Sequence, residues 1–159
     1  MRFHSAMSVV GLLLAASASP ALAWTLENNV LVEIATQRDR DDRLRFDVAC
    51  DQSTGEFWAQ LTLDESWAET TLDPEEKVAI SFAASGESFT TEAFSLVDDG
   101  GMVALSLGDW DDPQALQSVL VMLQTANDTL DVGLLDIEAQ FPAAGFSDAL
   151  ETLVATCWG

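Results

Sequence analysis

Two cysteines, Cys50 and Cys157, are the only ones in this chain, and each closes an apolar pattern of a different period. Leu44, Phe46, Val48 and Cys50 share one face of a period-2 run, with Arg43, Arg45, Asp47 and Ala49 on the other, as in a half-buried strand. Leu150, Leu153, Val154 and Cys157 share one face of a helical run. If the two sulfurs join, the fold must lay the last helix on an early strand. They stand 107 positions apart. Closing so long a loop is worth about 4–5 kcal/mol on chain-entropy arguments. Two buried free thiols are the alternative. A two-thiolate zinc site would lack histidine, for the only one is His4.

Whether a disulfide persists depends on the compartment. Residues 1–23 read as a secretory signal peptide. Arg2 supplies the positive start, Val9 to Ala16 the apolar run broken only by Gly11, Pro20 the helix break, and Ala21-Leu22-Ala23 the small residues before cleavage. The run is too short to span a bilayer. Cleavage after Ala23 would leave 136 of the 159 residues as one domain, residues 24–159, beginning at Trp24. It would also leave five basic residues against 27 acidic ones, a formal charge of −22. The aromatic and aliphatic content is too high for a disordered acidic chain. The expected location is the periplasm, or outside the cell, with no stable membrane insertion after cleavage.

The first two thirds of residues 24–159 alternate with period 2. Val30, Val32 and Ile34 alternate with Leu31, Glu33 and Ala35. Phe57, Ala59, Leu61 and Leu63 form an inward face, and so do Val78, Ile80 and Phe82. Residues 38–43, Arg-Asp-Arg-Asp-Asp-Arg, read as a solvated hairpin turn, and residues 51–55 as another turn. Ser85-Gly86 turns the chain into Phe89–Val97, whose alternation slips near Phe94 and suggests a bulge. Residues 98–101 turn it again, into Val103, Leu105 and Leu107. Asp112 and Pro113 fit the N-cap and first position of a helix with the stripe Leu116, Val119, Leu120 and Leu123, which Asn127 or Asp128 can end. Leu130 to Ile137 reads as one more strand, and Ser147 as the N-cap of the final helix, with Asp148 in its first turn. The predicted fold is mainly β (α+β): an antiparallel β-sandwich or partial barrel of six to eight strands, with two helices near the C-terminus.

The available chemistry is narrow. Without histidine there is no imidazole base and no Ser-His-Asp or Cys-His machinery. Lys77, beside Glu75 and Glu76, reads as a solvated cation. Carboxylate pairs alone could serve hydrolysis. The most suggestive cluster is Asp109-Trp110-Asp111-Asp112, where a tryptophan beside acids can form a sugar platform and Asp109, Asp111 and Asp112 offer oxygen ligands to calcium. Asp98-Asp99 is a second acidic cluster, and neither has the spacing of an EF-hand. Trp58 and Trp110 are the candidate ligand contacts. Asn127-Asp128-Thr129 matches a glycosylation sequon. The four arginines at 38, 40, 43 and 45 are nearly cancelled by Asp39, Asp41, Asp42 and Asp47. The global field is negative and repels nucleic acid.

Two stretches carry a resemblance. Leu44-Arg45-Phe46-Asp47-Val48-Ala49-Cys50 resembles the strand-ending cysteine of small periplasmic proteins. Residues 141–150, Phe-Pro-Ala-Ala-Gly-Phe-Ser-Asp-Ala-Leu, followed by Cys157, are similar to the ending of relatives of the invasion-associated locus B family. Small exported proteins of similar kind accompany type VI secretion systems. The resemblance implies an antiparallel β-sandwich with a terminal helix in a Gram-negative periplasm, and it carries no catalytic residues. The expected function is a non-enzymatic accessory protein of the envelope, without cofactor, acting through contacts with a protein partner whose surface is basic. A carbohydrate-binding or cell-wall-hydrolysing protein, and a calcium-dependent module, are the alternatives.

Overall fold

The structure, a computed structural model, describes residues 23–63, 77–97, 103–108, 112–134 and 137–158. The strands are β1 (Thr25–Asn29), β2 (Val32–Arg38), β3 (Leu44–Asp51), β4 (Phe57–Leu63), β5 (Lys77–Ala84), β6 (Glu87–Val97), β7 (Val103–Gly108), β8 (Thr129–Leu134) and β9 (Ile137–Pro142). Helix α1 (Pro113–Thr125) lies between β7 and β8, and α2 (Phe146–Trp158) ends the chain. The nine strands form an antiparallel ladder in the order β1-β2-β3-β4-β7-β6-β5-β8-β9. Strand β6 serves two partners: Glu87 to Phe94 pair with β5, and Phe94 to Val97 pair with β7. It therefore joins two antiparallel sheets that face each other without closing into a barrel.

The mainly β architecture follows the alternation. Leu44, Phe46, Val48 and Cys50 are all buried, as are Phe57, Ala59, Leu61, Leu63, Val78, Ile80 and Phe82. The inner faces meet where the Phe46 ring stands 6.4 Å from Phe82 and 5.5 Å from Phe141. Trp24 plugs one side of this core. Its ring lies 4.8 Å from Phe146 and 6.0 Å from Phe46, and its indole Nε1 donates to the Pro142 carbonyl at 3.0 Å. The β5–β6 hairpin turns through Ser85 and Gly86 alone, both at positive φ (52° and 86°), the mirror-image turn that matches strand twist.

Several expectations are corrected. Nine strands form among the described residues instead of six to eight. Residues Leu130 to Ile137 are not one strand: Leu134 pairs directly with Ile137, so the chain reverses there and a further strand runs to Pro142. The Ile137, Ala139, Phe141 alternation carries that strand, and all three are buried. Strand β1 was not anticipated, because its five residues are all exposed and leave no burial pattern. No bulge occurs at Phe94, where the register runs unbroken on both sides. The slip in alternation falls where β6 leaves one partner for another.

Strand β2 buries Glu33, Ala35 and Gln37, leaving Val32 and Ile34 half-buried. Directly paired residues share a face, and Ala35 opposes Val48 while Gln37 opposes Phe46, so β3 dictates which side of β2 turns inward. Glu33 accepts a hydrogen bond from Asn28 Nδ2 (2.5 Å) and Gln37 one from the Arg38 amide (2.9 Å), which offsets their desolvation. The final helix starts at Phe146 and not after Ser147. The Gly145 carbonyl accepts from the Ala149 amide (3.1 Å), and Gly145 takes φ +82°. A serine cap is worth about 1 kcal/mol, whereas starting earlier buries Phe146, worth about 2–3 kcal/mol.

The arginine-rich turn is more than a solvated loop. Asp39 is buried, and its Oδ1 accepts from the amides of Arg43 (2.6 Å) and Leu44 (2.8 Å), fixing the reversal between β2 and β3. Arg40 donates through its amide to the Gln140 carbonyl (3.1 Å) and through Nη1 to Gln140 Oε1 (2.8 Å), while Arg43 Nη2 reaches the Glu138 carbonyl at 2.9 Å. The turn is thereby latched onto β9, the last strand of the ladder, in place of a continuous sheet. Capping exposed acceptors of an edge in this way guards it against pairing with other chains.

Candidate functional site

The disulfide between Cys50 and Cys157 spans a Cα–Cα distance of 6.4 Å and pins the last turn of α2 to the end of β3. Trp158 follows immediately and is two-thirds exposed. Its ring stands 4.9 Å from Phe57, and its Nε1 donates to the Gly55 carbonyl at 3.1 Å. Gly55 has φ +74°, and a Cβ there would fall 3.0 Å from Trp158 Nε1. Only glycine both adopts that backbone and leaves room for the indole.

From Trp158 an apolar groove of about 280 Å³ runs between α1 and α2, floored by Leu116 and Leu150 and walled by Leu120, Val121 and Val154. Helix α1 forms as its sequence predicts: Asp112 Oδ1 accepts from the Ala115 amide at 3.0 Å, Pro113 takes the first turn, and Leu116, Val119 and Leu123 are buried. Leu120 is only partly buried and Val121 is 47% exposed. On α2, Leu150 and Leu153 are buried as expected, but Val154 is 37% exposed and faces the groove. A second and larger furrow, of about 740 Å³, on the other side of the Gln117–Val121 ridge is lined by Glu87, Phe89 and Met122.

Charge and apolar surface sit at opposite ends of β3. Its eight residues span roughly 25 Å, with the arginine turn before Leu44 and the Asp51–Gly55 turn after it. Every Lys and Arg between 24 and 159 is in an ion pair: Arg38–Asp42 (2.9 Å), Arg40–Asp128 (3.6 Å), Arg43–Asp41 (3.0 Å), Arg45–Asp47 (2.8 Å) and Lys77–Glu92 (3.7 Å). The surplus of acids therefore has no cation of residues 24–159 left to pair with. Beside the apolar end, the β1–β2 tip exposes Val30 and Leu31, tied to the neighbouring turn by the Gln52 amide donating to the Leu31 carbonyl at 2.8 Å.

Of the other sequence candidates, Asp109, Trp110, Asp111, Asp98 and Asp99 lie outside the described residues. Asp112 has both oxygens engaged, the second with Thr91 Oγ1 at 3.4 Å. Trp58 is half-buried on the outer face of β4, in register with Ala49 and Gly108. Asn127 is exposed in the α1–β8 connection, with Nδ2 3.5 Å from Ser85 Oγ. Among the described residues no group of three or more His, Cys, Asp or Glu is placed to hold a metal ion, and no helix is long and apolar enough to cross a membrane.

Sequence reasoning passed over Trp158, Val121 and the ridge of α1. A signal was present. Residues 113–125 contain no Asp, Glu, Lys or Arg in a chain with 27 acids, although half of that helix faces solvent. Depletion of charge on an exposed face is the compositional mark of an interface core.

The Asp51–Gly55 turn beneath Trp158 is itself held by a carboxylate. Asp51 Oδ1 accepts from the Ser53 hydroxyl (2.5 Å), the Ser53 amide (2.7 Å) and the Thr54 amide (3.2 Å). The Ser53 hydroxyl first, then these amides, hold the Asp51 carboxyl below its ordinary value of 3.8. A depressed folded-state pKa contributes stability that is present above the unfolded pKa and is lost as pH falls through the folded one. Ser53→Ala is expected to move the Asp51 titration upward in a carboxyl-detected NMR experiment. An unmoved midpoint would assign the whole depression to the backbone donors.

No family model matches the chain, and no curated protein matches it. A search of solved structures finds the crystal structure of invasion associated protein B from Bartonella henselae. It superimposes with a TM-score of 0.54 at 13% sequence identity, covering 86% of this chain and 95% of that one, so the two are similar in fold.

Proposed function

We propose that this chain is an exported, non-catalytic accessory protein of the bacterial envelope that acts by binding a protein partner with a basic surface. The observation that carries the reading is the internal pairing of all five cations of residues 24–159, which leaves the excess acids without compensation inside the molecule. Such a field accelerates encounter with a positive surface and fades with salt. The absence of histidine beyond His4 and the locking of both cysteines in a disulfide remove the usual nucleophiles and bases. The fold shared with an invasion-associated protein is compatible with this role. Affinity capture from envelope extracts, at about 50 and 500 mM salt, tests it. Basic proteins retained at low salt and shed at high salt are expected; retention indifferent to salt would overturn the reading.

A further inference from the structure

The groove between the two helices has the composition of an interface and the shape of a helix seat. We infer that it is the docking site for an amphipathic helix of the partner, apolar on the face it presents and flanked by Lys or Arg. The inference rests on the proposed reading and specifies which surface performs it.

Three observations converge. The groove runs between two thirteen-residue helices, each roughly 20 Å long, the furrow into which a third helix lays its apolar face. Its walls expose Val121, Val154 and Trp158 together, half of the large exposed hydrophobic residues among those described. Trp158 is fixed by the adjacent disulfide, by Phe57 and by Gly55, so it is held in place before any partner arrives. Rigid aromatic residues of this kind commonly anchor interfaces.

Charge selects the occupant. Neither helix carries a basic residue; α1 has no charge at all, and α2 has Asp148 and Glu151. Glu151 stands one turn from Val154, Glu56 adjoins Phe57, and Glu87 lines the furrow beyond the ridge. The groove is thus lined by no charged residue, and its acidic rim is Glu151 beside Leu150 and Val154 and Glu56 beside Phe57. A second copy would bring the same acids face to face across the contact, where like charges oppose association. A helix with apolar residues at i, i+3, i+4 and i+7, and Lys or Arg beside them, satisfies both the strip and the rim.

The test uses the purified protein with its disulfide intact and a Leu/Lys amphipathic peptide of about 18 residues, roughly 27 Å as a helix. The control peptide has the same composition, scrambled so that its leucines share no face. Calorimetry near physiological salt should show the amphipathic peptide binding at least about tenfold tighter than the control, with NMR shifts centred on Leu120, Val121, Val154 and Trp158. The double substitution Val121→Glu, Val154→Glu should abolish that preference with little change in melting temperature, since both positions are exposed. The milder Val121→Gln should reduce it in the same direction. Equal binding of both peptides, weakening with salt, would overturn the groove and leave the electrostatic reading standing. Binding of neither peptide at low salt would remove both. Self-association of the protein that the Val121 and Val154 substitutions abolish would make a second copy the occupant and refute the inference.

Discussion

Cys157→Ser is expected to lower the stability of the protein by about 4–5 kcal/mol, the largest single effect in the molecule. The bridge closes a loop of 107 positions, so reduction returns that freedom to the unfolded chain. The native side loses as well. Cys50 is fully buried at the end of β3, while α2 rests mainly on β2 and holds its last turn through the sulfur. Without it, Trp158 still has the Phe57 contact and the hydrogen bond to Gly55 but loses the covalent anchor of the residue before it. Urea denaturation of oxidised protein against Cys157→Ser measures the loss, and near-UV circular dichroism reports the tryptophan. A midpoint shift worth less than about 1 kcal/mol would mean that the helix docks without its tether. Free thiols in the natively produced protein, found by alkylation before reduction, would remove the premise.

Trp24→Ala is expected to cost about 3–5 kcal/mol, in the range for truncating a large buried aromatic. Trp24 is 7% exposed, packs edge-on against Phe146 and Phe46, and satisfies its indole N–H at the Pro142 carbonyl. It thus links the start of the domain to β9 and to the first turn of α2. Trp24→Phe keeps most of the ring contact and loses the hydrogen bond, so a smaller loss of about 1–2 kcal/mol is expected. Thermal or urea unfolding of the two variants separates the contributions. Equal stability of Trp24→Ala and the parent would show that the N-terminal segment does not seal the core.

The candidate site divides along the same physical line as the fold. Burial leaves a periodic trace, so the floor of the groove was legible: Leu116 and Leu150 belong to stripes read directly from spacing. Its walls were not. Val121 falls off the α1 stripe, and Val154 belongs to the α2 stripe yet stays exposed, because only the packing of one helix beside the other decides which flank is covered. Trp158 sits after the last patterned residue, and its partners Gly55 and Phe57 lie about a hundred positions away, beyond the reach of any local period.

The sequence by itself determined the alternating strands β3, β4 and β5, the capped start of α1, the inward setting of Cys50, and the poverty of catalytic side chains, since each depends on local spacing or on composition. Tertiary structure alone decided the rest. It divided Leu130–Ile137 into a hairpin, turned β2 so that Glu33 and Gln37 face inward, latched the arginine turn onto β9, and opened an uncharged groove beside Trp158. These features arise from pairings between distant segments, where register with a neighbour and competition for burial override what any single stretch prefers.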